Sequence, residues 1–230
     1  MAAELNRRTF LRRTVVGALV SVVPARLSGT TREARLSAPA TAPRTPESAI
    51  YQLLAGNARY VANRLTGPQQ NLRALREQTV DRQQPFAAVL ACADSRVPVE
   101  LVFDQSIGCI FVARVAGNIV TPEIIASLEY AVADLGVRGI MVLGHTGCGA
   151  VKAAMASEEA PGQISALYAH LRPAIDASGG SEAKAVETNA KQQADLLRTS
   201  STVVRDALGK GMLKVAAAVY DLDSGRVTVR

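Results

Sequence analysis

Residues 86–96 read Phe-Ala-Ala-Val-Leu-Ala-Cys-Ala-Asp-Ser-Arg, and residues 138–148 read Arg-Gly-Ile-Met-Val-Leu-Gly-His-Thr-Gly-Cys. Each holds an apolar run of strand length. Cys92 closes the first run, His145 directly follows the second, and Cys148 comes three positions later. A short apolar run without polar alternation fits a strand covered on both faces, as in a parallel sheet. A third such run, Cys109 to Arg114, lies between them, and helical patterns separate all three. That alternation is βαβ spacing. In open parallel sheets, ligand sites form beyond the carboxyl ends of the strands. Cys92 and His145, fifty-three residues apart, are therefore expected at the same end of one sheet.

Outward from these runs, Pro46-Glu47 opens a helix expected to reach about Asn63, with Pro in the first turn and an acid at the positive end of the dipole. A second helix is expected from Asn71 to Asp81, and a third from the cap Thr121 to a stop at Gly136. Helical patterns follow over Gly149–Ser157, Gln163–Ala177 and Ser181–Leu208. A last strand, Lys214 to Leu222, turns at Asp223-Ser224-Gly225 into Val227–Val229. The fold class is therefore α/β: a central, mostly parallel sheet of four strands plus a C-terminal edge strand, flanked by helices.

The ligand chemistry points to zinc, which takes sulfur, nitrogen and oxygen together, usually as four ligands in a tetrahedron. Cys92, His145 and Cys148 make three. Three protein ligands with an open fourth position are the catalytic pattern, and a chain with three cysteines and two histidines can hardly build a closed structural site. The other cysteine, Cys109, sits in an apolar run and reads as a small buried hydrophobe, and His170 sits in an amphipathic helix. Asp94 is a candidate fourth ligand, and Arg96, two positions on, can pair with its carboxylate in a bidentate fork.

The net charge of +6 invites a nucleic-acid reading, but residues 1–40 hold seven Arg and two acids. That leaves nineteen bases against eighteen acids for the rest, with no basic run interleaved with aromatics, so no nucleic-acid partner is expected. The basic segment reads Asn6-Arg7-Arg8-Thr9-Phe10-Leu11-Arg12-Arg13, then mostly apolar Thr14 to Pro24. It resembles a twin-arginine export signal, its apolar part too short for about 30 Å of hydrocarbon. Cleavage after Ala40 or after Ala25 fits the small-residue rule. The expected organisation is an export signal and leader over 1–40, a linker over 41–45 and a catalytic domain over 46–230. The destination is then the periplasm, the cell envelope or the exterior, with membrane contact only through the signal. In such a compartment, zinc would guard Cys92 and Cys148, and stripping it would expose both to disulfide formation. Thiol titration with and without chelator measures this, and unchanged accessibility would rule it out.

Cys92-Ala-Asp-Ser-Arg96 together with Gly144-His145-Thr-Gly-Cys148-Gly149-Ala150 resembles the signature of the beta-class carbonic anhydrases. Phe111-Val-Ala-Arg114, Ala116-Gly-Asn118 and Glu129-Tyr130 extend the likeness, which runs from about Pro46 to Arg230. The resemblance implies Zn2+ on Cys92, His145 and Cys148, and hydration of carbon dioxide to bicarbonate by zinc-bound hydroxide. Asp94 and Arg96 would form a gate: paired, Asp94 orients the zinc-bound water; unpaired, it replaces that water as fourth ligand. Gln83 would donate to substrate, Phe111 and Tyr130 would wall the pocket, and Gly149 would line it, with Gly147 and Gly149 letting backbone approach the metal. Val115-Ala116 departs from a pattern of Asn and Val in many members, which bears on pocket shape. The chain has no Trp, so the Trp-Arg-Tyr bicarbonate regulatory site of one branch is expected to be absent. The resemblance further implies homodimers or dimers of dimers, with helix 46–63 reaching across to a neighbour. Two alternatives stand beside it: a hydrolase of carbonyl sulfide or carbon disulfide on the same fold, and a non-catalytic, zinc-stabilised envelope protein.

Overall fold

The computed structural model describes residues 43, 45–67, 71–157 and 159–230. The proposed signal and most of the linker lie outside them. Helix α1 (Pro46–Val61) starts at Thr45, whose hydroxyl caps Ser48 N–H while Ser48 returns the bond, a reciprocal box. Helix α2 (Leu72–Thr79) is capped by Asn71, and strand β1 (Ala87–Ala91) follows. A short helix α3 (Val99–Val102) leads to β2 (Ile110–Arg114) and a 3-10 turn (Ala116–Asn118). Then come α4 (Pro122–Ala133), β3 (Gly139–His145) and α5 (Gly149–Ala156). After a 3-10 turn (Ile164–Leu167), the chain forms α6 (Tyr168–Asp176), α7 (Glu182–Ser200), α8 (Thr202–Gly209), β4 (Lys214–Tyr220) and β5 (Val227–Val229).

The five strands form one sheet in the order β2-β1-β3-β4-β5, parallel except for β5, which runs antiparallel to β4. Both faces are covered. Ala87, Val89, Ala91, Met141, Leu143, Ala216 and Ala218 pack with Ala49, Ile50 and Leu53 of α1 and with Val99 and Val102 of α3. The alternate residues Ala88, Leu90, Ile140, Val142, Val215 and Ala217 pack under α4, α7 and α8. Double coverage is why β1 and β3 are buried throughout and read as unbroken apolar runs.

The structure differs from expectation in two of the later helices. The helix expected over Ser181–Leu208 is broken at Ser201, which is extended (φ −98, ψ 121) and fully buried. Its hydroxyl accepts from Val204 N–H at 3.0 Å and donates to Glu129 Oε1 at 2.6 Å, so a side chain that competes with helical bonding is fixed by a partner on α4. Gln163–Ala177 begins as a 3-10 turn before α6. Helix α1 lies on the sheet, where Ala49, Ile50 and Leu53 fill the first face. Among the described residues, no helix is long and apolar enough to cross a membrane.

Candidate metal centre

Three of the parallel strands deliver the site from their carboxyl ends. β1 runs straight into Cys92, and the chain then turns, with Val97 N–H bonded to Asp94 O at 3.0 Å. Arg114, the last residue of β2, clamps that turn: its Nε donates to Cys92 O at 2.9 Å and its Nη2 to Asp94 O at 2.6 Å. β3 ends in His145, whose Nδ1 lies 3.0 Å from Thr146 O. A proton on Nδ1 donated to that carbonyl leaves the Nε2 lone pair free to bind a metal. Thr146 is itself pinned by β4 and the turn after it, with its N–H on Tyr220 O at 3.0 Å and its Oγ1 accepting from Leu222 N–H at 3.0 Å. Gly147 then takes φ +67, a conformation that L side chains rarely adopt, and turns Cys148 onto the cap of α5.

The ligand atoms of Cys92, His145 and Cys148 lie within 4.8 Å of one another, and all three residues are buried. His145 Nε2 is a buried atom without a hydrogen-bond partner. The two sulfurs are 4.0 Å apart. A tetrahedral ion with bonds of about 2.3 Å to sulfur wants roughly 3.8 Å between them, so the residues fit zinc with little movement. The hydrogen bond from Cys148 is the main cause that brings the Cys92 thiol down to about 4, against burial and with help from His145 and the backbone at Asp94 and Gly117. Cys148 is pushed up, first by its bond to the Cys92 thiolate and then by burial, although backbone N–H groups of Val151 and Ala150 favour its charged form. A dication between the sulfurs removes that conflict by favouring thiolate at both.

Asp94 stands at the rim. Its Oδ2 is 3.8 Å from His145 Nε2 and accepts from Arg96 Nη2 at 2.7 Å, while its Oδ1 accepts from Arg96 Nε at 3.0 Å and Arg96 N–H at 2.9 Å. The Arg96 side chain is the main cause that holds this carboxyl well below the usual carboxylate range. Arg96 Nη2 also donates to Gly147 O at 3.0 Å, so one guanidinium ties the Cys92 loop to the Cys148 loop.

The remaining candidates are placed differently. A Cβ at Gly149 would meet nothing within 4 Å, so this glycine leaves open space beside Cys148, and only Gly147 has a backbone that demands glycine. Phe111 and Tyr130 pack on each other with ring centroids 6.4 Å apart. Phe111 is in register with Ala88, four residues and roughly 13 Å along the strand before Cys92. Gln83 is exposed before the amino end of β1. Within one chain, then, the structure does not bring Gln83, Phe111 or Tyr130 to the thiols, because they lie toward the opposite end of the strands. Arg114 and Thr146 are the residues that motif reading left without a role. The signal for Arg114 was its place at the end of the apolar run Cys109–Arg114, which forms the strand beside the one ending in Cys92.

The family model described as carbonic anhydrase matches residues 87–227. Carbonic anhydrase 2 of Mycobacterium tuberculosis is 34% identical over 193 residues, covering 80% of this chain and 93% of that protein. The carbonic anhydrase of Pseudomonas aeruginosa is 41% identical over 163 residues, 64% of this chain and 73% of its own. Among solved structures, the beta-carbonic anhydrase CafA of Aspergillus fumigatus superposes with a TM-score of 0.64 at 27% identity, covering 79% of this chain and 90% of that one. A beta-carbonic anhydrase of Sordaria macrospora, described as tetrameric, shares the fold at 24% identity with a TM-score of 0.63, over 78% of this chain and 95% of its own. With all four parallel strands inside the matched span and these relatives covering most of its length, the chain belongs to the beta-class carbonic anhydrase family.

Proposed function

We propose that this enzyme catalyses the reversible hydration of carbon dioxide to bicarbonate and a proton, with zinc held by Cys92 Sγ, His145 Nε2 and Cys148 Sγ. The observation that carries the reading is a carboxylate, Asp94, held by a guanidinium 3.8 Å from a buried, unpartnered imidazole nitrogen. A purely structural site has no use for it. When bound, zinc supplies Lewis acidity that lowers the pKa of water from 15.7 to about 7.

The chain's own residues do the rest. Asp94 is ionised and can only accept, so the attacking water donates an O–H hydrogen bond to its Oδ2 and is thereby turned with an oxygen lone pair toward the carbon. Arg96 fixes that orientation with its fork. When Arg96 lets go, Asp94 is free to move toward the ligand set and close it, which makes the pair a gate. Substrate enters the open space beside Gly149, at the N-terminus of α5.

Gln83, Phe111 and Tyr130 enter this scheme through a second copy. β2 is a sheet edge, and an exposed edge is a template for another chain. Pairing there would carry these residues toward a neighbour's site, in a homodimer that can pair again. Sedimentation at the monomer mass would remove this element. Export by the twin-arginine route rests on the sequence around Arg7-Arg8. Replacing both with Lys should retain the protein in the cytoplasm, and unchanged export would refute it.

The activity is tested by stopped-flow hydration on the mature protein with zinc content measured. One zinc per chain and a rate that rises between pH 7 and 9 are expected, because two thiolates donate more charge than imidazoles and leave the water less acidic. Zinc-loaded protein without hydration at any pH in that range would sink the proposal. Preferred turnover of carbonyl sulfide or carbon disulfide in the same assay would reassign the substrate.

A further inference from the structure

We propose that Asn189 and Gln193 of α7 are a positioning pair that holds the Gly117 N–H against the Cys92 sulfur and so tunes that sulfur as a metal ligand. The inference rests on the zinc reading above. The two amides are 1% and 3% exposed, one helical turn apart. They interrupt a buried stripe of Val186, Ala190, Ala194 and Leu197, where apolar side chains would pack without any polar cost.

Both amides are engaged. Asn189 Nδ2 donates to Gly117 O at 2.8 Å, and Gln193 Oε1 accepts from Val120 N–H at 2.7 Å. Gln193 Nε2 links the two by donating to Asn189 Oδ1 at 3.1 Å, and it also reaches His170 O at 3.3 Å. The backbone partners force this orientation, since flipping either amide would set donor against donor or acceptor against acceptor. The segment from Gly117 to Val120 is thus clamped at both ends by one helix. Gly117 has φ +75, and a Cβ there would lie 3.1 Å from Leu171 Cδ2, so a side chain in this turn would be strained. In that turn, the Gly117 N–H meets Cys92 Sγ at 3.3 Å. A hydrogen bond to a ligating thiolate withdraws electron density from it and fixes its direction, which is how groups behind a ligand set metal affinity.

The test uses full-length protein loaded with zinc or with Co2+, whose thiolate charge-transfer band reports directly on the sulfur. In Asn189→Leu and Gln193→Met, the band should move to lower energy and zinc affinity, measured against a competing chelator, should fall about 10–100-fold. Asn57→Leu is the matched control. Asn57 is equally buried and bonds Val102 O, Gly225 O and Val227 N–H on the other side of the sheet, so its loss should weaken the fold while leaving band and affinity unchanged. Should Asn189→Leu fail to fold, Gln193→Met carries the test alone. An unmoved band with unchanged affinity in the folded variants overturns the proposal, as does an equal shift in Asn57→Leu. A wild type that takes up neither metal defeats the zinc reading itself, and this is seen before any variant is made.

Discussion

Cys148→Ser will abolish zinc retention and reduce hydration by more than the roughly 10–100-fold that changes behind the ligands cost. The exchange is nearly isosteric, so the fold has little reason to fail. What is lost is chemical: a hydroxyl does not ionise at neutral pH, so the cap of α5 can no longer become the thiolate that a metal needs and that the backbone N–H groups of Ala150 and Val151 favour. With a neutral group there, only Cys92 and His145 remain as strong ligands. Thermal unfolding gives an independent reading. Zinc at 100 times its Kd stabilises a protein by about 2.7 kcal/mol, so the wild type should melt higher with zinc than with chelator, and Cys148→Ser should melt at one temperature in both. A variant that holds one zinc per chain and hydrates carbon dioxide at the wild-type rate would show that Cys148 is not a ligand.

The ligand set was legible because its members stand where the physics of parallel sheets is least ambiguous. Cys92 and His145 terminate buried runs, and such runs are recognisable from composition alone because both faces are covered. The residues that hold the ligands were less legible. Arg114 acts on backbone carbonyls, and nothing in a side-chain pattern announces a bond to a carbonyl twenty-two residues away. Asn189 and Gln193 read as polar positions of a long helix. Their meaning lies in occupying the apolar stripe, which becomes visible only once Val186, Ala190 and Leu197 are known to face the sheet. The break at Ser201 was hidden for the same reason, since its cause, Glu129, sits on another helix. Helix α3 spans four residues, too few for any periodicity. Where Gln83, Phe111 and Tyr130 lie along the strands was not legible either, because register decides it: Phe111 pairs with Ala88 near the start of β1, away from the thiols of its own chain.

Asp94→Asn should lower kcat by about 10²–10³-fold, within the range for a group that directs a proton in the transition state, while zinc stays at one per chain. The three ligands are untouched, so retention of metal separates this loss from that of Cys148→Ser. The cause is local. Asp94 Oδ1 accepts two hydrogen bonds from Arg96 and Oδ2 a third. An amide at this position must set its NH2 either against Arg96 donors or toward the water it should orient, and in both cases a donor stands where an acceptor is required. Arg96→Leu should cost a similar factor by a different route, freeing the carboxylate to move toward His145 Nε2, 3.8 Å away, and releasing Gly147 O. If the two residues work as one gate, the double variant should be scarcely slower than either single variant, because each alone already disables the unit. Independent roles would instead multiply the two losses to about 10⁴–10⁶-fold. Arg96→Lys separates charge from shape: an ammonium keeps the charge but not the planar fork, so activity should fall between wild type and Arg96→Leu. Multiplying losses would overturn the gate in favour of independent roles, and zinc leaving with Asp94→Asn would leave Asp94 a structural partner of the Cys92 turn.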